Sequence, residues 1–129
     1  MTVRIVPLGT PRSEGEGLRI GTVRHPPRGV PKTQYASQNW FDVCFSNLAP
    51  SAGLLKLGRS ARTEGEWNIS LRKYRAEMAD PETSRTLDLL AALSHQTNFS
   101  VGCYCADEHH CHRSILRALL LERGAEVVQ

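Results

Sequence analysis

Hydrophobic residues in this chain follow a period of two near its start and a period of three to four through its middle. Residues 2–7 (TVRIVP) and 18–24 (LRIGTVR) are short runs rich in β-branched residues, separated by a polar, glycine-rich connection. Both runs predict strands. In residues 40–45 (WFDVCF) the alternation places Phe41, Val43 and Phe45 on one face, which predicts a third strand. Beyond it, Ser51 caps a short helix through Leu54, Leu55 and Leu57, stopped at Gly58. Thr63 and Glu66 then form a capping box that opens a helix with Trp67, Leu71, Tyr74 and Met78 on one stripe, a core face rather than a ligand platform. Asp80 and Pro81 start another helix as N-cap and first-turn proline, with Leu87, Leu90, Ala91 and Ser94 facing inward. Residues 98–105 (NFSVGCYC) return to a buried-strand pattern, and residues 115–124 (ILRALLLERG) form an amphipathic helix closed by Gly124. Residues 125–128 predict a short final strand or an ordered tail.

The expected fold class is α/β, with the loop between the last strand and the last helix at the carboxyl end of a strand. The expected architecture is a single domain over residues 1–129: a small three-layer sandwich, with a mostly parallel sheet of four or five strands and helices on both sides. A chain of 129 residues, 40% of them hydrophobic, is long enough for a core without staples. Its net charge of +3 is small and evenly spread, so nucleic acid is not indicated. No apolar run is long enough to span a membrane. Cys44 stands apart from the other cysteines and the N-terminus carries no secretory pattern, so reduced thiols and a cytoplasmic location are expected.

The candidate chemistry lies in residues 103–114 (CYCADEHHCHRS), which hold three of the four cysteines and three of the five histidines. This segment joins the last predicted strand to the last helix, at the strand end where α/β proteins collect ligands. Three readings compete. In the first the loop cradles an anion: Asp107 is the N-cap, residues 108–111 form the first helical turn, and Arg113 faces a bound phosphate or carboxylate, with Cys105 and Ser114 as further ligand contacts. An arginine there opposes the helix dipole, so it needs such an anion or the acidic neighbours Asp107 and Glu108 to compensate it. In the second reading Cys103, Cys105, Cys111 and a histidine bind zinc. All the donors sit in one segment rather than in two separated pairs, so neither metal nor cofactor is expected. In the third Cys111, beside His112 and Arg113 near a helix N-terminus, is a reactive thiol, while Cys103 and Cys105 are small core residues. His112 faces the sheet, and His109 and His110 are solvated. Glu108, Cys111 and His112 are the candidate acids, bases and nucleophile.

A second loop carries charge in a stiff frame. Residues 25–31 (HPPRGVP) can be neither helix nor central strand, because their prolines lack N–H groups. Arg24 precedes this segment and Arg28 lies within it, and two rigidly placed guanidinium groups suit an oxyanion.

Several of these motifs recur together in one order: residues 23–32 (VRHPPRGVPK), Asp42-Val43 with residues 48–51 (LAPS), Trp67 with residues 74–78 (YRAEM), residues 89–94 (LLAALS), and residues 102–105 (GCYC) with 111–114 (CHRS). Over nearly the whole chain this resembles the YeaO-like family, domain of unknown function 488. The resemblance implies a compact, cytoplasmic, mostly bacterial α/β domain without an assigned activity. Many members of that family read Asp-Arg-Leu-Trp-Pro-Arg-Gly where this chain has residues 23–29 (VRHPPRG). The arginines are kept, but the acid and the tryptophan are not, so that acid's chemistry does not carry over. Ser70 also replaces the usual aromatic residue three positions after the tryptophan. The closing loop is similar to a cysteine-bearing branch, matching at Cys111, His112 and Arg113.

The expected site lies where the Arg24 and Arg28 loop meets residues 105–113. It suits a small-molecule enzyme or binding protein for an anionic, phosphate- or nucleotide-like ligand. The alternative is a non-catalytic interaction domain or a metal- or redox-responsive sensor. No Walker loop, dinucleotide fingerprint or Ser-His-Asp pattern names a reaction.

Overall fold

The period-two runs assemble into one sheet in which every strand is parallel to its neighbours. A computed structural model of the chain describes residues 1–105 and 107–128, and all side chains among them except that of His109. Strands β1 (Val3–Pro7), β2 (Leu18–Gly21), β3 (Val43–Cys44) and β4 (Phe99–Cys103) lie in the order β1-β4-β2-β3. The last strand in the chain therefore slots between the first two. Its position explains its composition, since β4 is buried at all five residues and a central parallel strand needs apolar or small side chains on both faces.

The register places every strand end on one edge. Pro7 pairs with Cys103, Gly21 with Gly102, and Gly21 with Cys44. Because all strands run the same way, the segments leaving them at residues 8, 22, 45 and 104 emerge side by side.

Helices α1 (Ala52–Ser60), α2 (Glu64–Met78), α3 (Pro81–Leu93) and α4 (Arg113–Glu122) complete the fold. The predicted caps form: the side chains of Ser51, Thr63 and Asp80 accept from the backbone N–H groups of Leu54, Glu66 and Glu82. The helices bury Leu54, Tyr74, Met78, Leu87, Leu90, Leu116 and Leu120 with Val3, Ile20, Phe99 and Val101 of the sheet. Helices were expected on both sides, but across the opposite face, where Arg19, Gly21, Ser100 and Gly102 point, the covering layer is irregular chain, including Thr10, Asn39 and Phe41. A Cβ on Gly21 would stand 2.7 Å from the ring of Phe41, and one on Gly102 would stand 2.4 Å from the carbonyl oxygen of Val6. Glycine at these two positions lets that layer and the neighbouring strand approach closely.

That face also holds a buried ion pair. Arg19 is fully buried and donates to both carboxylate oxygens of Glu16, at 2.8 and 3.0 Å, and to the carbonyls of Thr10 and Asn39. Ser100 on β4 donates to Glu16 at 2.6 Å. The side chains of β2 and β4 thus fix the path of the connection after β1.

Three elements differ from their sequence patterns, and the first is α1, which runs through Gly58 to Ser60. β3 has only two residues, because Phe41 turns away to pack beneath Gly21 and Val43 is exposed on the edge strand. The last helix begins at Arg113 rather than after Asp107; residues Glu108–His110 form a separate 3-10 turn, and His112 is an N-cap without a side-chain cap bond. The tail after Gly124 is ordered by β1, with Val3 donating to Glu126 and Val128 donating to Val3. No helix among the described residues is long and apolar enough to cross a membrane.

Candidate functional site

The side-by-side strand exits open onto one cavity of about 810 Å³. β4 and the segment after it supply Cys103, Tyr104, Cys105, His110, Cys111 and His112; the exit of β2 supplies residues 22–28. Leu54 and Leu55 of α1, with Trp67, Ser70, Leu71 and Tyr74 of α2, close the far side. The two loops expected to meet do line the same space. They are also tied together, since the Tyr104 hydroxyl donates to the carbonyl of His25 at 2.7 Å.

The candidate residues separate into two groups. Arg24, Arg28, Cys105, Cys111 and His112 line the cavity. Arg24 spends its Nε–H on the carbonyl of Pro50 at 2.9 Å, which fixes its stem, and Arg28 is exposed. Neither has a carboxylate partner among the described residues. Glu108, Arg113 and Ser114 are not part of the lining. Glu108 is held by Arg117 at 2.6 and 2.9 Å, and the Ser114 hydroxyl donates to the Cys111 carbonyl at 3.0 Å. Arg113 is 1% exposed, and its Nη2 donates to the Cys105 carbonyl at 2.6 Å. Its Nε finds no hydrogen-bond acceptor among the described residues. Arg113 thereby clamps the backbone of the loop to the start of α4.

The three thiols divide by depth. Cys103 and Cys111 are buried, with their sulfur atoms 2.6 Å apart, whereas Cys105 is exposed. The neighbouring thiols of Cys103 and Cys111 lower the Cys105 thiol pKa well below its ordinary value; burial opposes them and the Arg113 charge assists. The converse holds for those two. Cys103 is raised by the neighbouring thiols of Cys105 and Cys111 and by burial. Cys111 is lowered by Cys103 but raised more by Cys105 and burial. Burial, reinforced by Arg113, takes His112 down to about 4 against the opposing influence of Cys105 and Thr22. A neutral His112 adds little charge beside Cys105 at neutral pH, so the lasting positive neighbour is Arg113.

His112 is held on three sides. Its Nε2 lies 3.2 Å from the Thr22 hydroxyl, its Nδ1 lies 3.7 Å from the Cys111 sulfur, and its ring meets Tyr74 edge-on at 5.1 Å. Tyr74 in turn donates to the Leu48 carbonyl at 2.7 Å. The sequence pattern does place Tyr74 in the core, as observed, but its ring also reaches the cavity. Thr22, Trp40 and Tyr104 also line the cavity without having been candidates. Their only signal was position, since each lies at or beyond the carboxyl end of a strand or on the layer covering it. His110 is exposed and pairs with Asp107 at 3.1 Å; the expectation for the His109 side chain lies outside the described residues.

A family model described as DUF488-N3a, the active DUF488-N3 subclade, matches residues 3–124, and the chain belongs to this family. That agrees with the resemblance carried by its motifs. No curated protein and no solved structure matches.

Proposed function

We propose that this member of the active DUF488-N3 subclade is an enzyme that takes a small anionic molecule with a planar ring, of the nucleotide class, into the cavity. The observation that carries this reading is the sharing of one cavity by the arginine loop and the thiol–imidazole cluster. Arg24 and Arg28 supply positive charge at a rim stiffened by Pro26 and Pro27, which lowers the ordering cost of gripping a phosphate or carboxylate. Trp40, Trp67 and Tyr104 supply flat apolar surface for a ring. Cys105, Cys111 and His112 bring acid, base, nucleophile or ligand chemistry to the lining, beside Cys103, His25 and His110. Arg113 and Glu108 act indirectly in this reading: one holds the Cys105 carbonyl and the other braces Arg117.

The test is a thermal-shift comparison of adenosine 5′-monophosphate, adenosine, ribose 5-phosphate and inorganic phosphate. A bound ligand stabilises by about 2.7 kcal/mol at a hundred times its dissociation constant. The nucleotide should raise the melting temperature more than either half alone, and Arg28→Ala should remove the contribution of the phosphate. If none of the three phosphate-bearing probes shifts the wild-type curve, the anion reading fails and an interaction domain replaces it.

A further inference from the structure

We propose that the floor of the cavity is a transition-metal site, in which the sulfur atoms of Cys103 and Cys111 and the Nδ1 of His112 bind a thiophilic divalent cation of the zinc class. One donor atom from each of these residues lies within 4.8 Å of the other two. The distance of 3.7 Å from Cys111 sulfur to His112 Nδ1 is close to the edge of about 3.6 Å set by a tetrahedral ion with ordinary zinc–sulfur and zinc–nitrogen bonds. The two sulfurs, 2.6 Å apart, would separate by about 1 Å to span the same ion.

The hydrogen bonds of Thr22 decide which ring nitrogen is free. Thr22 has one hydroxyl proton, and its oxygen lies 2.9 Å from the carbonyl of Gly102. Two acceptors at that distance would repel, so the proton is committed to Gly102. At the contact with His112 the threonine oxygen must therefore accept, and Nε2 carries the ring proton. The lone pair is left on Nδ1, on the side of the Cys111 sulfur. An imidazole fixed by an outer hydrogen bond with its other nitrogen turned toward thiols is the usual arrangement of a histidine metal ligand.

The objection from spacing is answered by the fold. All the donors lie in one segment, but Cys103 ends β4 while Cys111 and His112 lead into α4. Cys103 thus stands at the end of a strand and Cys111 and His112 at the start of a helix, so the donors come from two separate parts of the fold. Three protein donors, with the remaining side toward the cavity and exposed Cys105 beside it, match a catalytic rather than a closed structural site. Soft sulfur with imidazole selects zinc-like ions over magnesium or calcium. The inference goes beyond the anion reading and does not depend on it.

The experiment uses the full chain, reduced with a phosphine, stripped of metal and titrated with cobalt(II) without any anion. One cobalt per chain, with a sulfur-to-cobalt charge-transfer band, is the expected result. Cys111→Ser should lose the band. Thr22→Val removes the acceptor for Nε2–H and the hydroxyl bond to the Gly102 carbonyl, which still accepts from the Thr22 backbone N–H; it should keep the fold and weaken cobalt binding by about tenfold or more. No band in wild type, an undiminished band in Cys111→Ser, or unchanged affinity in Thr22→Val overturns the proposal. So does a chain that is two hydrogens lighter by mass before reduction and takes up no metal after it, since Cys103 and Cys111 would then be a disulfide pair. Should Cys111→Ser fail to fold, the Thr22→Val affinity still decides the question.

Discussion

The hydroxyl of Tyr104 donates to the carbonyl of His25 at 2.7 Å, joining the residue that follows β4 to the stiff loop that follows β2. It is a direct side-chain bond between the two walls that carry the candidate chemistry. Tyr104 is 40% exposed, so water competes for this bond and its net contribution to stability is about 1 kcal/mol or less. Its larger effect is on geometry. Tyr104→Phe should leave the melting temperature within a few degrees of wild type but reduce stabilisation by nucleotide, because Arg24 and Arg28 are no longer held opposite the thiols. Thermal shift with and without ligand separates the two effects; an unchanged nucleotide shift would remove Tyr104 from the site.

Thiol labelling should follow exposure. In reduced, metal-free protein Cys105 and Cys44, both exposed, should react with iodoacetamide before buried Cys103 and Cys111. This reverses the order suggested by the position of Cys111 near a helix start. Mass spectrometry of peptides after brief labelling gives the order directly, and early modification of Cys111 would show that the segment before α4 opens.

The Glu16–Arg19 pair should give stability a dependence on acid. Burial pushes the Glu16 carboxyl up, but its bonds with Arg19, Ser100 and Ser13 outweigh that and hold it at about 2, below the ordinary value of 4.5. A folded-state pKa below the unfolded one means that the folded protein binds fewer protons. The contribution is therefore full above about pH 4.5 and is lost as pH falls through that value toward 2. Glu16→Gln leaves Arg19 buried without its countercharge and should cost about 3–5 kcal/mol at pH 7. Urea denaturation of both proteins between pH 2 and pH 7 checks the sign: the gap between them should shrink in acid.

Two glycines with positive φ should respond differently to alanine. A Cβ on Gly17 (φ +80°) would meet the Asn98 carbonyl oxygen at 2.0 Å, whereas one on Gly29 (φ +71°) would meet nothing within 4 Å. Gly29→Ala should cost only the left-handed penalty of about 1–2 kcal/mol. Gly17→Ala adds a backbone collision at the start of β2 and should cost clearly more. Chemical denaturation of the pair measures the difference; equal losses would mean that the Asn98 backbone yields freely.

Much of the local structure was legible because it depends on neighbours in sequence. A capping oxygen needs an N–H two or three residues on, and Ser51, Thr63 and Asp80 have one. The helical stripe needs only its own period, and Tyr74, Met78, Leu87 and Leu90 lie inside as that period requires. Even the meeting of the arginine loop with the cysteine loop could be inferred, since parallel strands send their carboxyl ends to one edge. What the sequence could not determine is how segments far apart in the chain pack against one another. The insertion of β4 between β1 and β2, the cover of irregular chain over Gly21, and the reach of Ser100 to the Glu16–Arg19 pair arise from long-range packing that no local period encodes. The same packing buries Cys111 and Arg113, leaves Cys105 exposed and turns Nδ1 of His112 toward the thiols. Spacing along a segment fixes which residues can be near, but burial and the hydrogen bonds left over after folding decide which atoms are free to react.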